Sequence, residues 1–488
     1  MPKVTNILGA SSVITVLAAV VLALGYLVGV GTQSAGAAGK TLYDVTPLKA
    51  GWTNSIAHDI NEKQQIAGQG TNPAGQARAF LWEGRAVTDL GVPAGDDLSR
   101  ARGINEDGAV VGEWRVLIDG QQRFKAFLYE GGRMKDLNGL IPADSGWDLT
   151  GAQAINEAGQ IVGSGSINGE THAFLYEDGV PTDLGAILGD PYSAAWGVND
   201  LGDVVGGTGS AANLSEAFVY RDGAVDRLDN LGGFSASEAV GINNSGQAVG
   251  WSFNPGQNPP QGKAFLYDNA ADGEAKIVPL EPLSDDVYSR ARDVDEAGRV
   301  VGWSRNDAAG APLAEQFSAA LWEDGQVKDL NDLIPAESGW KLVDAYAINE
   351  SGQIVGSGFK DGLLQAFLLN PVYDFGGFFA PVDNPPTVNV VKAGRAIPVR
   401  FSLSGDQGLG VFEETYPRSK RVPCKAAPVD RIEETTAAGA SVLTYDAASD
   451  EYTYVWKSKK VWARTCRQLT MKLDDGTYHR VKFKFRRR

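Results

Sequence analysis

Chemistry in this 488-residue chain is concentrated in a few residues. Cys424 and Cys466 are its two cysteines, and in an oxidising compartment such a pair joins as a disulfide. Two stretches nearly repeat one another: Leu140-Ile141-Pro142-Ala143-Asp144-Ser145-Gly146-Trp147 and Leu333-Ile334-Pro335-Ala336-Glu337-Ser338-Gly339-Trp340. Each sets a Trp beside a carboxylate, a pairing that stacks on a sugar ring and accepts its hydroxyl protons. Trp147, Trp340, Asp144 and Glu337 are therefore candidate binding residues, and the competing expectation is that each Trp packs between neighbouring structural units. The three His residues, and the absence of a Gly-x-Ser-x-Gly elbow, a His-Glu-x-x-His site or a phosphate loop, argue against most enzyme classes. No catalytic residue, cofactor or metal site is assigned. A hydrolase using paired carboxylates stays open, because sequence does not show which Asp and Glu converge.

Acidic turns recur as Asn105-Glu106-Asp107-Gly108, Asn156-Glu157-Ala158-Gly159, Asn243-Asn244-Ser245-Gly246 and Asn349-Glu350-Ser351-Gly352. They lack the alternating ligands and distal Glu of a calcium loop. Tight turns with a left-handed Gly are expected instead.

Those turns belong to a unit that occurs seven times, marked by Asn61, Asn105, Asn156, Asn199, Asn243, Asp295 and Asn349 at spacings of 44, 51, 43, 44, 52 and 54 residues. Each copy runs through an Ile-Asn end, a Val-Val-Gly-like run, an Ala-Phe-Leu-Tyr-like run and an Asp-Leu end. Short β-rich runs between Gly, Asn and Asp turns read as four strands per copy, which is one blade of a propeller. The last copy stops after Ala366-Phe367-Leu368-Leu369 without its fourth strand, while an orphan strand around residues 41–47 precedes the first. That strand is expected to complete the last copy and remove a free edge. The expected fold is thus all-β, a seven-bladed β-propeller over 40–371. Its variable loops between second and third strands, and between copies, share one face, the expected binding surface.

Ala126-Phe127-Leu128-Tyr129, His172-Ala173-Phe174-Leu175-Tyr176, Ala264-Phe265-Leu266-Tyr267 and Ala366-Phe367-Leu368 carry a resemblance to the extracellular His-Ala-Phe (HAF) repeat family, over roughly residues 50–370. Its eponymous His survives only as His172; Arg78, Lys125, Glu216, Lys263 and Gln365 replace it elsewhere. Such freedom excludes a catalytic duty and makes His172 an expected surface residue.

From 372 to 488 the pattern changes. Alternating apolar residues in 397–403, 452–456, 469–473 and 481–485 indicate a small antiparallel β-sandwich stapled by the cysteines. The segment resembles the Pro-x-Lys-Phe (PxKF) domain family of exported bacterial proteins, through Val391-Lys392-Ala393-Gly394, Ile397-Pro398-Val399-Arg400-Phe401, Tyr452-Thr453-Tyr454-Val455-Trp456-Lys457 and Thr465-Cys466-Arg467. Arg400 stands where the eponymous Lys would be. The resemblance implies an exported accessory domain.

Residues 1–37 read as a signal peptide or an N-terminal membrane anchor: Lys3, an apolar run from Val13 to Val30, then Ala35-Gly36-Ala37. The rest is then extracellular, secreted or attached to the cell surface. Residues 387–488 hold 20 Lys plus Arg against 11 Asp plus Glu, a net of +9, which leaves −25 of the total −16 elsewhere. The basic end suits anionic envelope polymers. Nucleic acid is not an expected partner outside the cell. The function expected is a binding or adhesion scaffold, its propeller face engaging a polysaccharide or protein. The alternatives are a carbohydrate-active enzyme and an architectural surface protein.

Overall fold

The computed structural model describes residues 42–48, 51–93, 98–210, 213–256, 261–268, 276–307, 311–405, 407–413, 415–424, 428–431 and 442–487. The segment expected to be a signal peptide lies outside them. Among the described residues the chain is almost wholly β, and no helix is long and apolar enough to cross a membrane.

Copies one, two, five and six each fold as a four-stranded sheet in sequential antiparallel order. Copies three and four do the same, and a single parallel pairing between Thr171 in the third strand of one and Tyr192 in the first strand of the other links them. Copy seven supplies the strands Trp340–Ile348, Ile354–Lys360 and Leu363–Val372. Its fourth partner is the N-terminal strand Leu42–Pro47, which pairs antiparallel from Leu42 opposite Val372 to Pro47 opposite Phe367.

The repeated words of the sequence follow from cross-strand packing. In copy two, Gly112 of the Val-Val-Gly run lies directly opposite Phe127. A Cβ there would stand 2.0 Å from the Arg100 carbonyl oxygen and 2.8 Å from the Phe127 ring, so glycine is required for the ring to lie flat across the strand. The Ala before that Phe is buried because its N–H reaches the next copy: Ala79, Ala173, Ala217 and Ala264 donate to Ser99, Ser193, Ser237 and Ser289 Oγ, and Ala366 to Ser55 of copy one.

Side chains buried between sheets form seven clusters among the described residues, each spanning consecutive copies. One of them joins copy seven to copy one, through Ala347, Val355 and Leu368 against Leu48, Trp52 and Ile60. Each sheet thus buries both faces against its neighbours, which explains the apolar residues on both sides of the middle strands.

The marker Asn does more than shape a turn. Asn61, Asn105, Asn156, Asn199 and Asn243 each donate Nδ2 to the backbone oxygen of the next copy's marker, and Asn349 donates to Asn61 O at 3.2 Å. Asp295 has no such donor to offer, and there Arg299, ion-paired to Asp295, donates instead to Glu350 O at 3.3 Å. A second series runs outside the first: the N–H of Glu62, Glu106, Glu157, Asp200, Asn244, Glu296 and Glu350 meets the side-chain oxygen of the following copy's residue, and Glu350 returns to Glu62. Both series end where they begin.

Residues after Pro371 form two further sheets. One is four-stranded, around Ala396–Phe401 and Glu451–Lys457; the other is five-stranded, around Cys466–Lys472 and Tyr478–Arg486. Ile397, Val399, Phe401, Tyr452, Leu469, Phe483 and Phe485 fill the core between them. The five-stranded sheet is mixed rather than purely antiparallel, because Val388–Lys392 runs parallel to the last strand. Cys424 and Cys466 are disulfide-bonded.

Candidate functional site

The first strand of every copy carries a β-bulge three residues before the marker, and those of copies one, three and seven carry a second register shift nearer their start. The bulged residues are His58, Arg102, Gln153, Trp196, Val240, Arg292 and Tyr346. A bulge adds an unpaired residue and re-aims its side chain. All seven line one cavity of about 320 Å³. All seven are half-buried, neither packed away nor on the outer surface. A repeated backbone device thus delivers seven side chains of six kinds to one place.

Around them the chamber wall is charged. Arg100 and Arg102 both contact Glu113 Oε1 at 3.0 Å, Arg292 pairs with Asp344 at 2.8 Å, and Arg290 approaches Glu238 at 3.4 Å. Arg290 lies over Trp251, 4.7 Å from the ring centre, and Arg292 over Tyr346 at 4.5 Å. The Tyr346 and His58 rings meet edge to face at 4.9 Å. Four guanidiniums are therefore met by three ion-paired carboxylates. His58 Nε2, Arg102 Nε, Trp196 Nε1 and Arg290 Nε are enclosed without a protein hydrogen-bond partner, each a cost of about 1–3 kcal/mol in a sealed core.

Enclosure also shifts protonation. Burial, reinforced by Arg102, Arg292 and Arg100, holds the His58 imidazole well below its ordinary range, so it is neutral at pH 7. Burial and the charge of Arg292 bring Arg290 down to about 10. Asp59 and Asp293 are pushed up to about 7, chiefly by burial. Each accepts two backbone N–H groups, Asp59 from Ile60 and Ile104 and Asp293 from Val294 and Ile348. These two carboxyls tie neighbouring first strands together.

Trp147 and Trp340 are half-buried, and neither lines the chamber. Trp147 packs with the cluster between copies two and three, edge-on to Phe174 at 6.1 Å; Trp340 does the same between copies six and seven, 6.2 Å from Phe367. Asp144 and Glu337 are exposed. In the same two loops Asn138 and Asn331 bridge to both backbone groups of Leu149 and Leu342. The structure leaves the two Trp–carboxylate pairs in separate junctions. His172 requires a correction: it is 6% exposed, its Nδ1 2.8 Å from Asp183 Oδ1. Asp183 caps the short helix Leu184–Leu188, and the helix residue Gly185 lies directly against the imidazole.

A larger cleft of about 640 Å³ lies between the marker turns and the C-terminal sheets, lined by Glu62, Arg299, Gln353, Tyr373 and Asp474 among others. Glu62, Arg299 and Gln353 are already engaged in the turn series or its Asn contacts, which makes the bulge-lined chamber the better candidate. Among the described residues no group of three or more His, Cys, Asp or Glu is arranged to hold a metal ion.

The sequence signal for the chamber lies in the residue three before each marker, which varies from Arg to Trp to Val while the residue before it is always Ala. Without the bulge that position alternates onto the wrong face of the strand. Comparison with known proteins adds one match: residues 194–366 fit a family model described as a protein of unknown function, DUF3466. No curated protein matches the chain. The matched stretch covers most of copies four to seven and includes the bulged residues Trp196, Val240, Arg292 and Tyr346.

Proposed function

We propose that this chain is an exported, non-catalytic binding protein. In this reading the seven sheets are the blades of a closed seven-bladed β-propeller of the HAF-repeat type, and the following residues form a PxKF-type β-sandwich. The ring holds part of an extracellular polysaccharide in its central chamber. The two hydrogen-bond series that end where they begin, and the core shared by copies seven and one, support closure.

One observation carries the binding assignment: a bulge at the same position in all seven copies presents side chains of six kinds to one cavity. A purely architectural ring has no use for variety at a position whose backbone is held constant. The chamber carboxylates are ion-paired or bound to backbone N–H groups, which argues against their service as a free acid and base pair.

The C-terminal sheet supports attachment to the envelope. Its last strand alternates buried Val481, Phe483 and Phe485 with exposed Arg480, Lys482, Lys484 and Arg486. Pairing sets exposed Lys392 beside Arg486, and Gln468 between Lys482 and exposed Lys420. A flat array of cations suits a polyanion.

A glycan array probed with the full chain, Val240→Trp and Trp147→Ala/Trp340→Ala tests the assignment. Val240 faces the chamber at a bulge that elsewhere accepts Trp, so the variant fills the cavity while the frame remains. Loss of glycan binding in Val240→Trp alone is expected. Loss only in the Trp pair would move the site to the loop face, and no binding by the full chain would overturn the polysaccharide assignment.

A further inference from the structure

The chamber's chemistry narrows its ligand, an inference that rests on the binding reading above. We infer that it recognises an acidic sugar, a hexuronic acid residue whose carboxylate meets the Arg102 guanidinium while the ring packs against Trp196. Ion pairing is the first reason. Arg100 and Arg102 share one carboxylate, Glu113, whereas Arg290 and Arg292 each have their own in Glu238 and Asp344. Of the two that share, Arg102 lines the cavity, and its side chain remains 28% exposed. A guanidinium carries five donors in a plane and takes a second carboxylate on its free edge. Arg102 Nε lacks a protein partner.

Shape and surface supply the second reason. About 320 Å³ lies at the small end of ligand sites and suits one sugar ring rather than a longer chain. Trp196 stands on its own bulge, half-buried in the wall with Nε1 unpartnered. An indole offers a sugar its apolar face and a donor at the rim. Gln153 and the neutral His58 bring further polar groups to hydroxyls.

Isothermal titration of the full chain with D-glucuronate, D-galacturonate, D-glucose, D-galactose and acetate tests the inference. One uronate is expected to bind at least tenfold more tightly than its neutral parent and than acetate, with the preference erased by Arg102→Gln and binding abolished by Val240→Trp. Unchanged melting of each variant shows that the loss is local. Should Arg102→Gln fail to fold, loss of uronate binding in folded Val240→Trp still places the sugar in the chamber. Equal binding of uronate and neutral sugar would overturn the acidic-sugar assignment and leave the polysaccharide reading standing, and uronate binding that survives Val240→Trp would overturn the site. If no sugar here binds while an array glycan does, the uronate inference alone falls. If neither experiment yields a ligand, both readings fall together.

Discussion

Asp59 and Asp293 occupy a position that is Gly103, Ala154, Gly197, Gly241 or Ala347 in the other copies. Their carboxyls, raised to about 7 by burial, are more easily protonated in the folded chain than in the unfolded one. The stability they contribute is complete below about pH 4 and is lost as pH rises through 7. Between pH 5 and pH 8 the melting temperature should therefore fall, by roughly 3 °C or more. Asp59→Ala/Asp293→Ala, which copies the residues found at Ala154 and Ala347, should flatten that slope; an equal slope in both proteins would show that the carboxyls titrate normally. At this scale the sequence was least legible. A residue type alone does not reveal that a bulge turns Arg102 or Trp196 inward, nor that a local helix buries His172.

Strands, turns and repeats were far more legible, because glycine and period-two alternation act locally. The four strands of copy two were readable from its Ile-Asn, Val-Val-Gly, Ala-Phe-Leu-Tyr and Asp-Leu runs. What escaped was the duty of the marker Asn, whose partner is a neighbouring copy 43 to 52 residues away, or 288 for Asn349. Asp295 and Arg299 give the sharpest test of that duty. The Asp295 side chain is fully buried and ion-paired to Arg299, so Arg299→Ala should cost about 3–5 kcal/mol by stranding a buried carboxylate. Asp295→Asn/Arg299→Gln, which recreates the Asn243 and Gln247 pairing, should recover most of that loss in denaturant titrations. Failure to recover would show that the two positions act independently. Gly112→Ala should be as damaging, at about 3 kcal/mol or more, because its Cβ has no room beside the Arg100 carbonyl. A melt within 1 °C of the parent would mean that the sheet yields there.

For the molecule as a whole, the N-terminal strand was expected to serve the last copy, and Leu42–Pro47 lies against Leu363–Val372. This was legible because one end of the repeat array lacks a strand that the other end has to spare. The Cys424–Cys466 pairing was equally plain from a chain with two cysteines. It spans 42 residues, so Cys424→Ser/Cys466→Ser should cost about 4 kcal/mol in the C-terminal sheets, and an unchanged denaturation midpoint would show that the loop is already constrained. Charge segregation was visible as a sum, but only the alternation of Arg480, Lys482, Lys484 and Arg486 with buried neighbours places it on one sheet face. Arg480→Gln/Lys482→Gln/Lys484→Gln should abolish salt-sensitive retention on phosphatidylglycerol vesicles while glycan binding at the chamber persists; full retention would place the attachment elsewhere.

The most direct measurement is a crystal structure of the full chain with the tightest glycan found by the array. The account predicts ligand density inside a ring of seven first strands, bounded by Arg102, Trp196 and Val240. Density over Trp147 or Trp340, or first strands that do not enclose a common cavity, would contradict it.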